Sequence, residues 1–178
     1  MGTYIAMLRG INVGARNKIK MTDLDALFVG LGHTAVVTYI QSGNVVFKSR
    51  SKSAAALASS IEARITRDLG LDVRVLMRTS AELTKVLRVN PFLKSGADPA
   101  RLHVTFLDAV PDAALARAVG EYDAGVDEFR VTGREVFLHC PDGYGNTKIN
   151  NGFFEKRLKA IATTRNWNTV NKLVELAG

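Results

Sequence analysis

Arg9-Gly10-Ile11-Asn12-Val13-Gly14 stands where a short apolar run opens into a loop. Its residue types suit anion binding. Arginine offers a planar fork of donors matched to phosphate or carboxylate. Glycine lets backbone approach a ligand closely or take positive φ. Lys18 and Lys20 follow in the same loop, and a second polar turn, Gln41-Ser42-Gly43-Asn44, comes later. Arg9, Asn12, Lys18, Gln41, Ser42 and Asn44 form a first candidate ligand-binding set, with Arg9 and Lys18 on phosphate and Asn12, Gln41 and Asn44 orienting the ligand. The competing reading is conformational: the glycines serve turn geometry, and Asn12 and Gln41 satisfy loop backbone. The spacing matches neither the three-glycine dinucleotide fingerprint nor a Walker loop, because no Gly-Lys-Ser/Thr follows.

A second set lies toward the C-terminus: Tyr144, Lys148, Arg165 and Asn166, with Asn146, Thr147 and Trp167 beside them. Its loop precedes a predicted helix, whose positive end favours anions. Trp167 reads first as a core residue and second as a stacking platform. His33, His103 and His139 lack ligand spacing, so neither a metal nor a cofactor is expected. Cys140, the single cysteine, reads as a structural thiol and excludes an internal disulfide. No catalytic base or nucleophile constellation is visible.

The elements that must position these residues follow from periodicity. Thr3 to Leu8 reads as a buried strand, and Thr22 as the cap of a helix carrying Leu24, Leu27, Phe28 and Leu31. Ala35 to Ile40 and Val45 to Lys48 form a hairpin around the Gln41 turn. Ala54 to Leu69 reads as a helix, and Leu71, Val73, Val75 and Met77 alternate as a fourth strand. Thr79 and Glu82 form a capping box for a short helix through Leu87. The second half repeats the order: strand Leu102 to Leu107, a helix with Pro111 in its first turn, a hairpin at Thr132-Gly133, helix Asn151 to Ile161, strand Ala162 to Arg165 and a last helix Thr169 to Ala177. The fold class is therefore α+β: two tandem ferredoxin-like (β-α-β-β-α-β) subdomains with antiparallel sheets, plus a C-terminal helix. The division falls at 1–88 and 89–178. In this layout the first two strands run parallel, which makes the Arg9–Gly14 loop and the Gln41–Asn44 turn neighbours. The same argument brings the loop 141–148 toward Arg165–Asn168.

Four strings together carry a resemblance: Arg9–Gly14, Lys18–Met21, Thr38–Phe47 and Ala162–Val170. With them the whole chain resembles the bacterial family catalogued as domain of unknown function 1697. That resemblance implies an α+β fold with two ferredoxin-like subdomains and no established activity or catalytic residues. Ala15 stands where the resemblance leads one to expect a second glycine after Gly14.

The net charge of +7 is uneven: residues 1–78 hold 11 Lys/Arg against 5 Asp/Glu, and residues 79–178 hold 13 against 12. A basic half attracts phosphate-bearing partners or simply aids solubility. No signal pattern or membrane span is apparent, so a cytoplasmic setting is the default. The leading expectation is a cytoplasmic binding protein for a phosphate-bearing ligand, nucleic acid or nucleotide, at the first set. The rivals are an enzyme acting on a small anionic substrate at the subdomain seam and a protein-interaction module, including a homodimer through an exposed sheet edge.

Overall fold

The computed structural model describes residues 1–178. The chain forms two compact units, Met1–Thr84 with Lys172–Gly178, and Lys85–Asn171. The sequence places one cut after residue 88; by packing, the last seven residues group with the first unit.

In the first unit, β1 (Gly2–Leu8) lies inside a four-stranded antiparallel sheet of order β2-β3-β1-β4, with β2 Thr34–Tyr39, β3 Asn44–Ser49 and β4 Val75–Thr79. Tyr4 pairs with Phe47 and Ile5 with Val46 on one side of β1, and Ile5 with Arg78 on the other. Side chains alternate across a strand, so Tyr4, Ala6 and Leu8 share one face with Val45, Phe47, Val75 and Met77. Those residues join Leu24, Leu27 and Phe28 of α1 (Met21–Gly30) and Leu57, Ile61 and Ile65 of α2 (Ala54–Leu69) in one core. The i, i+4, i+8 spacing of the α2 residues is the apolar stripe of an amphipathic helix. Its ends are written in sequence: Ser53 Oγ accepts from Ala56 N, and Gly70 closes it at φ 66°.

The second unit repeats the pattern. Its sheet has the order β6-β7-β5-β8, all antiparallel, from β5 (Leu102–Leu107), β6 (Glu128–Thr132), β7 (Glu135–His139) and β8 (Ala162–Asn166). Leu107, Val136, Leu138 and Ala162 pack with Val119 of α5 (Ala113–Gly120) and Phe153, Phe154 and Leu158 of α6 (Asn151–Leu158). Along the chain, α3 (Ser80–Val89) and the single turn α4 (Pro91–Lys94) follow β4 and precede β5; α7 (Trp167–Ala177) ends the chain.

Several boundaries differ from expectation. Thr22 does not cap α1: the helix starts at Met21, and Lys20 is its N-cap with no side-chain cap bond. Strand β4 starts at Val75, opposite Leu8, although the apolar alternation begins at Leu71. Val73 is buried without a ladder partner, so the alternation there records burial only. Pro111 precedes the α5 cap instead of opening the helix, because Asp112 Oδ1 accepts from Ala114 N and Leu115 N. Helix α6 stops at Leu158, where Lys159 takes φ 55°. Helix α7 begins at Trp167, two residues early, with Asn166 Oδ1 accepting from Thr169 N. The Thr79–Glu82 capping box forms: Glu82 Oε2 accepts from Thr79 N at 2.8 Å, and Thr79 Oγ1 from Glu82 N at 3.2 Å.

Candidate functional site

The loop after β1 and the hairpin turn between β2 and β3 meet through backbone. Leu8 N donates to Gly43 O at 2.8 Å, and Arg9 N donates to Arg74 O at 2.9 Å. Gly43 is a true steric requirement: it holds φ 82°, and a Cβ there would lie 2.5 Å from Ile11 Cδ1 and 2.9 Å from Leu8 Cβ.

Asn12 is the hinge pin of the loop. Its Nδ2 donates to Ile19 O at 3.0 Å and to Gln41 O at 2.8 Å, while its Oδ1 accepts from Ile19 N at 2.9 Å. The side-chain amide thus imitates a neighbouring strand, pairing both peptide groups of Ile19. Between Asn12 and Ile19 the chain folds as a miniature hairpin. Asn12 N donates to Asn17 O and Arg16 N to Val13 O, with both asparagines at positive φ, 53° and 48°. Asparagine tolerates that conformation better than most residues. Of the central residues of the Val13–Arg16 turn only Gly14 has positive φ, so Ala15 fits where the resemblance suggested another glycine.

Asn44 is a correction to the first set. It is fully buried, and its Nδ2 donates to Tyr39 O at 3.1 Å and Ser42 Oγ at 3.0 Å, so it closes the hairpin from inside and presents nothing to a ligand. The same bond ties Ser42 into the turn.

A cleft of about 770 Å³ opens beside the loop, a size usual for small-molecule sites. Of the expected residues, Asn12, Lys18 and Gln41 line it; Arg9, Ser42 and Asn44 are not in its wall. Lys20, Thr22 and Asp23 at the start of α1 complete its polar lining. Two lysines face one aspartate there, and the helix end contributes further positive potential. The cap position of Lys20 eluded sequence reasoning because lysine is not a capping residue and Thr22 drew the assignment.

The second set divides. Arg165, a candidate anion contact by sequence, is only 6% exposed, and its Nη1 donates to Thr163 Oγ1 at 2.8 Å and Thr164 O at 3.0 Å. Burial lowers its pKa to about 10, with Tyr144 opposing. Tyr144 stacks on His103 at 4.8 Å and bonds to Thr164 and to the Asn151 backbone; burial raises its phenol above the ordinary value. Thr164 also meets Thr105 Oγ1 at 2.7 Å and Asn151 Oδ1 at 2.6 Å, so Tyr144 belongs to an interior hydroxyl network. Asn166 caps α7. Lys148 lines a separate cleft of about 330 Å³ with Asp123, Asp127 and Asp142, a wall unsuited to anions. Cys140 is buried, and burial pushes its thiol up to about 11, which removes it as a nucleophile. No group of His, Cys, Asp or Glu side chains converges in a way that could hold a metal ion. No helix is long and apolar enough to cross a membrane.

The model of a family described as protein of unknown function (DUF1697) matches residues 1–137. The chain belongs to the DUF1697 family. The match takes in the Met1–Thr84 part of the first unit, including the Asn12 loop and the lysine-lined cleft, and stops before the Ala162–Val170 string. Among solved structures, the conserved bacterial protein SP0830 from Streptococcus pneumoniae shares the fold with a TM-score of 0.78 and 24% identity, over 99% of both chains. No curated protein matches this DUF1697 member.

Proposed function

We propose that this DUF1697 protein binds a phosphate-bearing ligand, a nucleotide or a nucleic acid, in the cleft of its first unit. The observation that carries the reading is the start of α1. The helix opens with no side-chain cap, and Lys20 at its cap position and Lys18 both line the cleft. Uncapped first-turn N–H groups and paired ammonium groups are complementary to phosphate oxygens. Asn12 and Gln41 shape the wall; Asn12 does so by holding Ile19 and the Gln41 carbonyl in place. The strand orders β2-β3-β1-β4 and β6-β7-β5-β8 support naming each unit ferredoxin-like. A buried, unpaired cysteine is in keeping with a reducing cytoplasmic setting.

The test is a titration with ATP and with a fluorescent single-stranded oligonucleotide, at low and high salt, on the native chain and on a Lys18→Ala/Lys20→Ala variant. Both lysines are exposed, so the variant is expected to fold as the native chain does. Binding is expected to weaken steeply with salt, and the variant is expected to lose about two charges' worth of the salt slope on the oligonucleotide. Equal binding by the native chain and the variant, or none at low salt, refutes the proposal.

A further inference from the structure

At the other end of the same sheet lies a second cleft, of about 610 Å³, and we propose that it binds a small ligand through an oxyanion head, phosphate or carboxylate. It is lined by His33, Thr34, Ser49, Arg50, Ser51 and Ser60, among others, and by no carboxylate. The seven residues of β1 separate it from the lysine-lined cleft: one lies where β1 begins, the other in the loop after it ends.

Three independent features point to an anion. First, charge: the stretch Lys48-Ser49-Arg50-Ser51-Lys52-Ser53 alternates cations and hydroxyls, and no Asp or Glu occurs between Asp25 and Glu62. Second, the 16-residue helix α2 supplies Ser60 to the wall and has no acidic residue in its first turn, so its positive end lacks a compensating carboxylate. Third, His33 is 8% exposed and its Nε2 is buried without a hydrogen-bond partner, which is uncommon for a buried polar atom.

The imidazole is held at 4.6 Å from the Phe47 ring and 6.0 Å from the Phe28 ring, so its orientation is fixed by the core. Burial lowers its pKa, which keeps the ring neutral at pH 7. A neutral imidazole carries one N–H, and the tautomer protonated at Nε2 is a donor to an oxyanion. Ser49 Oγ accepts from Ser51 N at 3.2 Å, which leaves its hydroxyl proton to donate. Arg50, exposed at the rim, supplies the fixed charge.

The experiment is a backbone-amide NMR titration with inorganic phosphate and, separately, with succinate, on the native chain and on Arg50→Ala. Expected are saturable shifts at Gly32, Ser51 and Ser60 with at least one of the two anions, and an affinity about tenfold weaker in Arg50→Ala. Phosphate alone saturating assigns a phosphate head; succinate alone assigns a carboxylate. A His33→Gln variant, which keeps a donor, is expected to retain more affinity than Arg50→Ala. Lys18→Ala/Lys20→Ala is expected to leave these shifts unchanged, which separates this site from the first. Absence of saturable shifts with both anions, or equal shifts in Arg50→Ala, overturns the proposal.

Discussion

Asn12 offers the sharpest discrimination between a ligand contact and a structural clamp. Asn12→Ala removes three hydrogen bonds at once: from Ile19 N, to Ile19 O and to Gln41 O. Ile19 is 4% exposed, so water replaces its lost partners poorly. Orphaning a buried peptide group costs about 1–3 kcal/mol. Alanine at φ 53° adds about 1 kcal/mol that asparagine largely avoids. The sum is about 2–4 kcal/mol, a large share of the roughly 5–15 kcal/mol that holds a typical domain together. At roughly 2–4 °C per kcal/mol for a chain of this size, the unfolding midpoint should fall by about 10 °C. Urea unfolding followed by circular dichroism measures the energy, and hydrogen exchange at the Ile19 amide locates it. Asn12→Asp should be no better at neutral pH. Its Oδ1 still accepts from Ile19 N, but its second oxygen faces the two carbonyls that Nδ2 served. A shift below about 1 kcal/mol, with Ile19 exchange unchanged, refutes the clamp and returns Asn12 to the ligand.

Two further outcomes follow from the same geometry. Gly43→Ala and Gly14→Ala both place alanine at positive φ, but only at Gly43 would the new Cβ meet Ile11 and Leu8, while Gly14 faces open space. Gly14→Ala is expected to cost about 1 kcal/mol and Gly43→Ala about 3–5 kcal/mol; equal values in urea unfolding would contradict the close approach of loop and hairpin. Cys140 carries a pKa raised from 9.0 to about 11 by burial, so its contribution is present below pH 9 and lost as pH rises through about 11. The native chain should therefore lose up to about 2–3 kcal/mol over that window that Cys140→Ala does not lose, and parallel pH–stability curves would disprove it.

Much of the fold is legible in the chain because two periodicities differ. The alternation through Leu71, Val73, Val75 and Met77 and the four-residue spacing through Leu57, Ile61 and Ile65 have no common reading. Once two split strand pairs are recognised, the meeting of the Arg9 loop with the Gln41 turn follows from strand direction alone. The misplaced ends share one cause. Apolar alternation at Leu71 and Val73 reports burial, whereas a strand requires a partner, and β1 offers its first to Val75. A helix start likewise needs a chain that turns, and at Lys20 the turn is made by Asn12 gripping Ile19, a contact seven residues away that no local preference encodes.

The candidate site was harder to read, for a reason rooted in side-chain chemistry. An amide carries both a donor and an acceptor, as a peptide group does, so Asn and Gln beside glycine-rich turns are well matched to backbone. Asn12, Asn17 and Asn44 all bind main-chain carbonyls here. A guanidinium also finds carbonyls and hydroxyls in the interior, as Arg165 does on Thr163 and Thr164. The lysine ammonium is more strongly hydrated and has no acceptor, so it gains least from loop backbone and stays at the surface. Among polar residues clustered at adjacent loops, the amides therefore build the wall and the lysines are left to meet what comes into it. That division moves the weight of the proposed site from Arg9 and Asn44 to Lys18, Lys20 and the open end of α1.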